Sequence, residues 1–370
     1  MSESIVPEPE SSDIPHVHGT PLWKRLLRGA VTVAFLALVF GFVLPKLADY
    51  QAVADNIRKI EPFEWLLLGV FAGWFLVAYV FVFLSTLPSL RFREGFVVQT
   101  TATAINNSLP AGGAIALPIT YSQFLSWGFT PEAVTAALLT AGVWDQLARL
   151  ALPVLAVAAI AVTGDTLWWM WVVSLGGVVV VAGAIWLVAR VLGSEAVAIR
   201  VGSRLGRIAN WALAKAHRDP VDMVEAILQF RANVRHVAIR RWRWVTLATV
   251  ANHASMAALF LVSLRSVGVT SGDVSAPWVI LAFALGRLLV MIPISPGGLG
   301  LVDLGFIGLL TLGWGQGADT DLLSAGVLLY RALSYLPPIV VGIGSWLFWR
   351  VNRSWHLDWR TERRGEIPTP

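Results

Sequence analysis

Five ionisable side chains of this 370-residue chain sit inside otherwise apolar stretches: Asp145, Arg149, Arg287, Asp303 and Arg331. Charge in hydrocarbon is costly, so such groups either pair with one another or serve a function. Asp145 and Arg149 are four residues apart and share a helix face, which leaves a purely structural i, i+4 pair open beside a functional role. Asp303 is within reach, in principle, of Arg331 or Arg149, and reads as a functional or gating carboxylate. Arg331 is the best single candidate for a ligand contact, because a guanidinium offers a planar fork to phosphate oxygens and stays charged. Three arginines against two aspartates leave one net positive charge. A cavity built from these residues should prefer an anion, such as a lipid phosphate.

Two Pro-Gly breaks accompany these charges. The first reads Leu109-Pro110-Ala111-Gly112-Gly113 and the second Ser295-Pro296-Gly297-Gly298-Leu299-Gly300. Each leads to an intramembrane arginine, thirty-nine residues from Pro110 to Arg149 and thirty-five from Pro296 to Arg331, followed by Pro153 or Pro337. A half-helix starting after Gly113 or Gly300 would aim unsatisfied N–H groups and a positive dipole end at the membrane midplane, a cradle for an anion. A Pro-Gly-Gly triplet by itself often only kinks a helix, and it is the repetition at similar distance from an arginine that points to function. Asn106, Asn107, Ser108, Thr120, Tyr121 and Gln123 either line the same cavity or cap the broken ends, Tyr121 being the one taken as a ligand contact. Asn252 and His253 read as a hydrogen-bonding pair toward a neighbouring helix, and Asp319 and Asp321 as helix caps.

The elements that must position these residues are membrane spans. Hydrophobic residues make up 56% of the chain and charged ones only 14%, with a mean hydropathy of +0.68, whereas a soluble globular protein carries about 25% charged residues. Six runs are long enough to cross a bilayer: Leu27 to Leu44, Trp65 to Leu87, Ala133 to Val162, Leu167 to Ala189, Trp244 to Leu264 and Leu322 to Trp349. Phe96 to Phe129 and Pro277 to Trp314 are each interrupted in the middle, leaving halves of about 15 residues that suit re-entrant hairpins. The fold class is therefore an all-α polytopic membrane protein with about six full spans plus two re-entrant Pro-Gly-Gly hairpins forming inverted repeats. With the N-terminus inside, twenty-one of the 28 basic residues fall on the cytoplasmic side and four outside. That asymmetry orients a multi-pass protein of the bacterial inner membrane with both termini cytoplasmic, and it accounts for the pI near 9.9 without nucleic acid.

Residues 1–21 read as a disordered cytoplasmic tail, 22–352 as the transmembrane domain and 353–370 as a second cytoplasmic tail. Within the domain, repeat one spans 94–163 and repeat two 276–349. Between them, 192–241 carries an apolar stripe, Val201, Leu205, Ile208 and Ala212, beside the basic row Arg200, Arg204 and Arg207. It reads equally as an amphipathic helix on the cytoplasmic leaflet or as a loop helix packed on the bundle. There is no cysteine, no metal-ligand cluster, no nucleotide-binding Gly-rich loop and no Gly-x-Ser-x-Gly elbow, so no cofactor is expected and catalysis is unsupported.

The segment Asn106 to Gly113 with Tyr121 and Gly128, then Pro293 to Asp303, then Leu329-Tyr330-Arg331-Ala332-Leu333, resembles the transmembrane (flippase-like) domain of the lysylphosphatidylglycerol synthase family. The likeness covers most of Val31 to Arg350. It implies a domain that handles a phospholipid or polyisoprenyl lipid. Against the family pattern, Asp303 stands where glutamate is common, and Ala114 and Ile115 where charged residues are frequent. The 370 residues contain no soluble aminoacyl-transferase domain, so lipid synthesis is not expected of them. The resulting expectation is a lipid flippase-like transporter whose partners are membrane lipids with anionic head groups, and in which Arg331→Gln abolishes transport without loss of folding. The alternatives are a membrane-embedded glycosyl or aminoacyl transferase on a lipid-linked substrate, and a non-transporting scaffold for an envelope-biosynthesis enzyme.

Overall fold

The structure is a computed structural model that describes residues 50–109, 112–162, 168–215, 220–290, 298–352 and 355. The tail 1–21, the first expected span Leu27 to Leu44, Pro110, Pro296, Gly297 and nearly all of 353–370 lie outside the described residues. The described chain is all helical: α1 (Tyr50–Arg58), α2 (Pro62–Ala78), α3 (Val80–Thr86), α4 (Phe92–Ser108), α5 (Gly112–Ser126), α6 (Pro131–Val162), α7 (Trp168–Gly193), α8 (Glu195–Lys215), α9 (Met223–Ser266), α10 (Ala276–Leu289), α11 (Leu301–Trp314) and α12 (Thr320–Val351). Five helical stretches are long and apolar enough to cross a membrane: Pro62–Thr86, Pro131–Val162, Leu175–Gly193, Val237–Ser266 and Thr320–Val351. The chain is a multi-pass membrane protein, and these five coincide with five of the six expected spans.

Helix starts follow local chemistry. Pro62 opens α2, where its missing N–H is no loss, and the Glu64 carboxylate accepts the Glu61 N–H at 3.0 Å. Asp222 accepts from the Val224 and Glu225 N–H groups to begin α9, and Asp319 from Leu322 N–H at 2.9 Å to begin α12. The loop ahead of α10 is tied by Arg265, which donates to the Val269, Thr270 and Val274 carbonyls. Hydrogen bonds from the Thr270 hydroxyl and N–H hold the exposed Asp273 carboxyl below the usual carboxylate range.

One boundary differs from the sequence reading. The polar segment 192–241 and the fifth span are not separated: α9 runs unbroken from one into the other, because nothing between Met223 and Ser266 is Gly or Pro. In the preceding helix the apolar stripe and the small residues lie toward different surroundings. Leu205 and Ile208 are exposed, while the small residues Gly202 and Gly206 bring α8 onto Met223 and Val224.

Both interrupted stretches fold back as helical hairpins of short halves. In the first, Gln123 Nε2 donates to Thr101 Oγ1 across the pair, and Gly112 lies so close to α4 that a Cβ there would sit 2.5 Å from the Ile105 carbonyl oxygen. In the second, Phe306 lies on Gly286 and Trp278 on Gly313. Each hairpin then packs on the long helix that follows the other: α4 against α12, and α10 against α6. The α4–α12 seam is held by Thr100 Oγ1 to Ser345 Oγ at 2.9 Å and Asn107 Nδ2 to the Ser334 carbonyl at 3.4 Å. Gly342 makes this approach possible, since a Cβ there would fall 2.1 Å from the Thr100 carbonyl oxygen. Gly342→Ala should lower stability by about 1–3 kcal/mol through overpacking. Gly344→Ala, with open space around it, is the control that should leave the unfolding temperature in detergent unchanged.

Candidate functional site

The five intramembrane charges are brought to one region by four helices, α6, α10, α11 and α12. A cavity of about 380 Å³ opens between the first hairpin, α6, α10 and α12, and its lining includes Asp145, Arg149, Arg287 and Arg331 together with Asn106 and Gly113. A larger groove of about 780 Å³ lies between the ends of α4 and α12, but its lining is largely apolar and aromatic with Arg93 as its one charged side chain. The polar chemistry is in the smaller space.

Two of the three arginines are matched by carboxylates. On α6, Arg149 donates from Nε and Nη2 to Asp145 Oδ2 at 2.8 and 2.6 Å, which is the i, i+4 pair legible in the sequence. The Asp145 carboxylate also faces α9, where His253 Nε2 stands 3.1 Å from Oδ1. At the second break, Arg331 Nε donates to Asp303 Oδ1, and Asp303 is 1% exposed. This settles the partner of Asp303 as Arg331 rather than Arg149. Arg331 is further held by its Nη1 donating to Tyr335 Oη at 3.0 Å, with the guanidinium over the Phe306 and Tyr335 rings at 5.5 and 5.2 Å.

Arg287, at the end of α10, is different. Among the described residues no carboxylate lies within ion-pair distance of it, and its buried Nε has no hydrogen-bond partner. The single positive charge left by counting therefore has a location. Arg287 shares the cavity with Arg149 and with the Asp303-paired Arg331, and Asp145 is the one carboxylate among the residues that line it. The Arg287 Nε–H is, among the described residues, a donor left open for a charge-assisted hydrogen bond.

The glycine breaks divide in the same way. Gly298 and Gly300 adopt φ of +78° and +87°, conformations that side-chain-bearing residues rarely take. The N-terminus of α11 that follows is already capped from within, because Asp303 accepts the Gly300 N–H at 2.9 Å. The anion expected at this half-helix is thus the chain's own carboxylate. Gly112 closes the first hairpin, with its N–H donating to the Leu109 carbonyl at 3.0 Å, and Gly113 reaches the cavity. Asn107 and Thr120 also line it, whereas Gln123 bridges within the hairpin. Tyr121 stands apart: its hydroxyl donates to the Pro131 carbonyl at 3.1 Å and joins the hairpin to the start of α6. Tyr79, Phe75 and Tyr335 line the cavity without having been marked in the sequence. Their hydrophobic surroundings give aromatic residues in a span no distinguishing pattern.

A bundle of apolar spans with two folded-back helical hairpins and a cavity lined by arginines defines a membrane-embedded helical domain. The chain belongs to the family described as the lysylphosphatidylglycerol synthase TM region, whose model matches residues 26–342. No curated protein matches the chain.

Proposed function

We propose that this protein is a lipid flippase-like transporter of the bacterial inner membrane, handling an anionic phospholipid or a polyprenyl-phosphate-linked substrate. The head group would occupy the cavity beneath the first hairpin, held by Arg287 and Arg149, with Gly113 and Asn106 beside it. The observation that carries this reading is Arg287, a buried cation facing a shared cavity with no carboxylate within ion-pair distance among the described residues. Family membership supports it, as does the reciprocal packing of α4 on α12 and α10 on α6. Such exchange suits two inverted, re-entrant repeats that meet at a common site.

Reconstitution into liposomes with a fluorescent anionic lipid tests the function. Protein-containing vesicles should expose inner-leaflet probe to an external quencher faster than protein-free vesicles, and equal rates overturn the proposal. The cysteine-free sequence makes the topology testable in the same preparation. Single cysteines at Ser122 and Gly272 should be labelled from opposite sides, with both termini cytoplasmic. Labelling from the same side overturns the inverted arrangement.

A further inference from the structure

We propose that Asp145 and His253 form a proton-binding site that loads as an anionic head group draws Arg149 out of its pair with Asp145. This rests on the reading of the cavity given above and adds a coupled ligand, the proton, taken from solvent.

The geometry begins with His253. Its side chain is 2% exposed, yet Nδ1 has no hydrogen-bond partner, and Nε2, although 3.1 Å from Asp145 Oδ1, lies off the line of an N–H bond. Nδ1 is thus uncommitted and Nε2 already rests against a buried carboxylate, so the ring can gain a proton and keep its place beside Asp145. The charged and titratable groups that face the pair are Arg149 on α6, Arg287 on α10 and the Tyr79 phenol between α2 and α3. From α12, Arg331 is matched by Asp303.

In the structure Arg149 is paired with Asp145, and that pair is balanced without any charge on the imidazole. A phosphate held by Arg149 and Arg287 uses the same guanidinium that Asp145 uses. As Arg149 turns to the ligand, Asp145 is left as an uncompensated carboxylate in a low-dielectric interior, beside a newly arrived anion. Both changes favour protonation of His253, which yields an imidazolium–carboxylate pair and restores neutrality. Binding linkage is reciprocal, so a proton taken up with the lipid must also strengthen lipid binding. A proton gradient then becomes a means of biasing transport.

Calorimetric titration of the full chain in detergent with a short-chain anionic phospholipid, in buffers of different ionisation enthalpy, counts the protons taken up. Wild type should take up about 0.5 to 1 proton per lipid near neutral pH, and His253→Gln should bind lipid with almost none. Lipid binding without proton uptake in wild type, or uptake retained in His253→Gln, overturns the site. A second measurement is independent of lipid: in ¹⁵N-histidine-labelled protein, Arg149→Gln should increase the share of protonated His253 at pH 7. An unchanged imidazole signal there overturns the proposal whatever the lipid does. Absent lipid binding alongside an Arg149→Gln effect overturns the transport reading instead.

Discussion

Asp303→Asn and Arg331→Gln should each destabilise the protein by about 3–5 kcal/mol, the usual consequence of stranding one member of a buried ion pair. The Asp303 carboxylate is 1% exposed and makes two attachments at once, to the Arg331 guanidinium and to the Gly300 N–H at the start of α11. In Arg331→Gln the carboxylate keeps only the backbone donor and remains as buried charge. In Asp303→Asn the amide can still accept from Gly300, but a guanidinium packed between Phe306 and Tyr335 loses its counter-ion. Removing both charges removes the stranded partner. The double variant Asp303→Asn/Arg331→Gln should therefore lose no more stability than either single variant, and unfolding in micelles measures the cycle. Strict additivity of the two single losses would show that the residues do not act as a pair. Asp303→Glu tests the same geometry: the longer arm must still reach both Arg331 and the Gly300 N–H.

This expectation differs from the one the sequence supports, and the difference is instructive. From residue types alone, Arg331 is the best ligand fork and its loss should spare the fold. The structure commits that fork to Asp303, twenty-eight residues earlier on another helix, and no spacing rule announces a contact of that range. Spans, breaks and the Asp145–Arg149 pair were legible because they depend on local periodicity: run length, helix-breaking residues and an i, i+4 face. Which arginine remains uncompensated depends on tertiary pairing. Charge counting gave the remainder of one positive charge but could not place it on Arg287. His253 shows the same limit. Its helix neighbours predict a bond to another helix, but only the fold brings it to Asp145.

Arg287→Gln should then do the opposite of Arg331→Gln, leaving stability unchanged or raised while weakening the transport function. A buried guanidinium without a carboxylate is an electrostatic liability to the folded state, worsened by Arg149 across the same cavity. Neutral glutamine relieves both burdens at similar length. For an anionic ligand the change removes charge-assisted hydrogen bonds that contribute about 1.5–3 kcal/mol, so lipid affinity or flux should fall about 10- to 100-fold. Arg287→Lys separates charge from shape: it keeps the cation but not the planar fork, and should retain intermediate activity. Unfolding temperature and liposome flux, measured on the same three proteins, decide the matter together. If Arg287→Gln destabilises as strongly as Arg331→Gln, the guanidinium belongs to the scaffold. Loss of flux with an intact fold assigns it to the substrate, because the interactions lost with the guanidinium are then those made with what enters the cavity and not those that hold the fold.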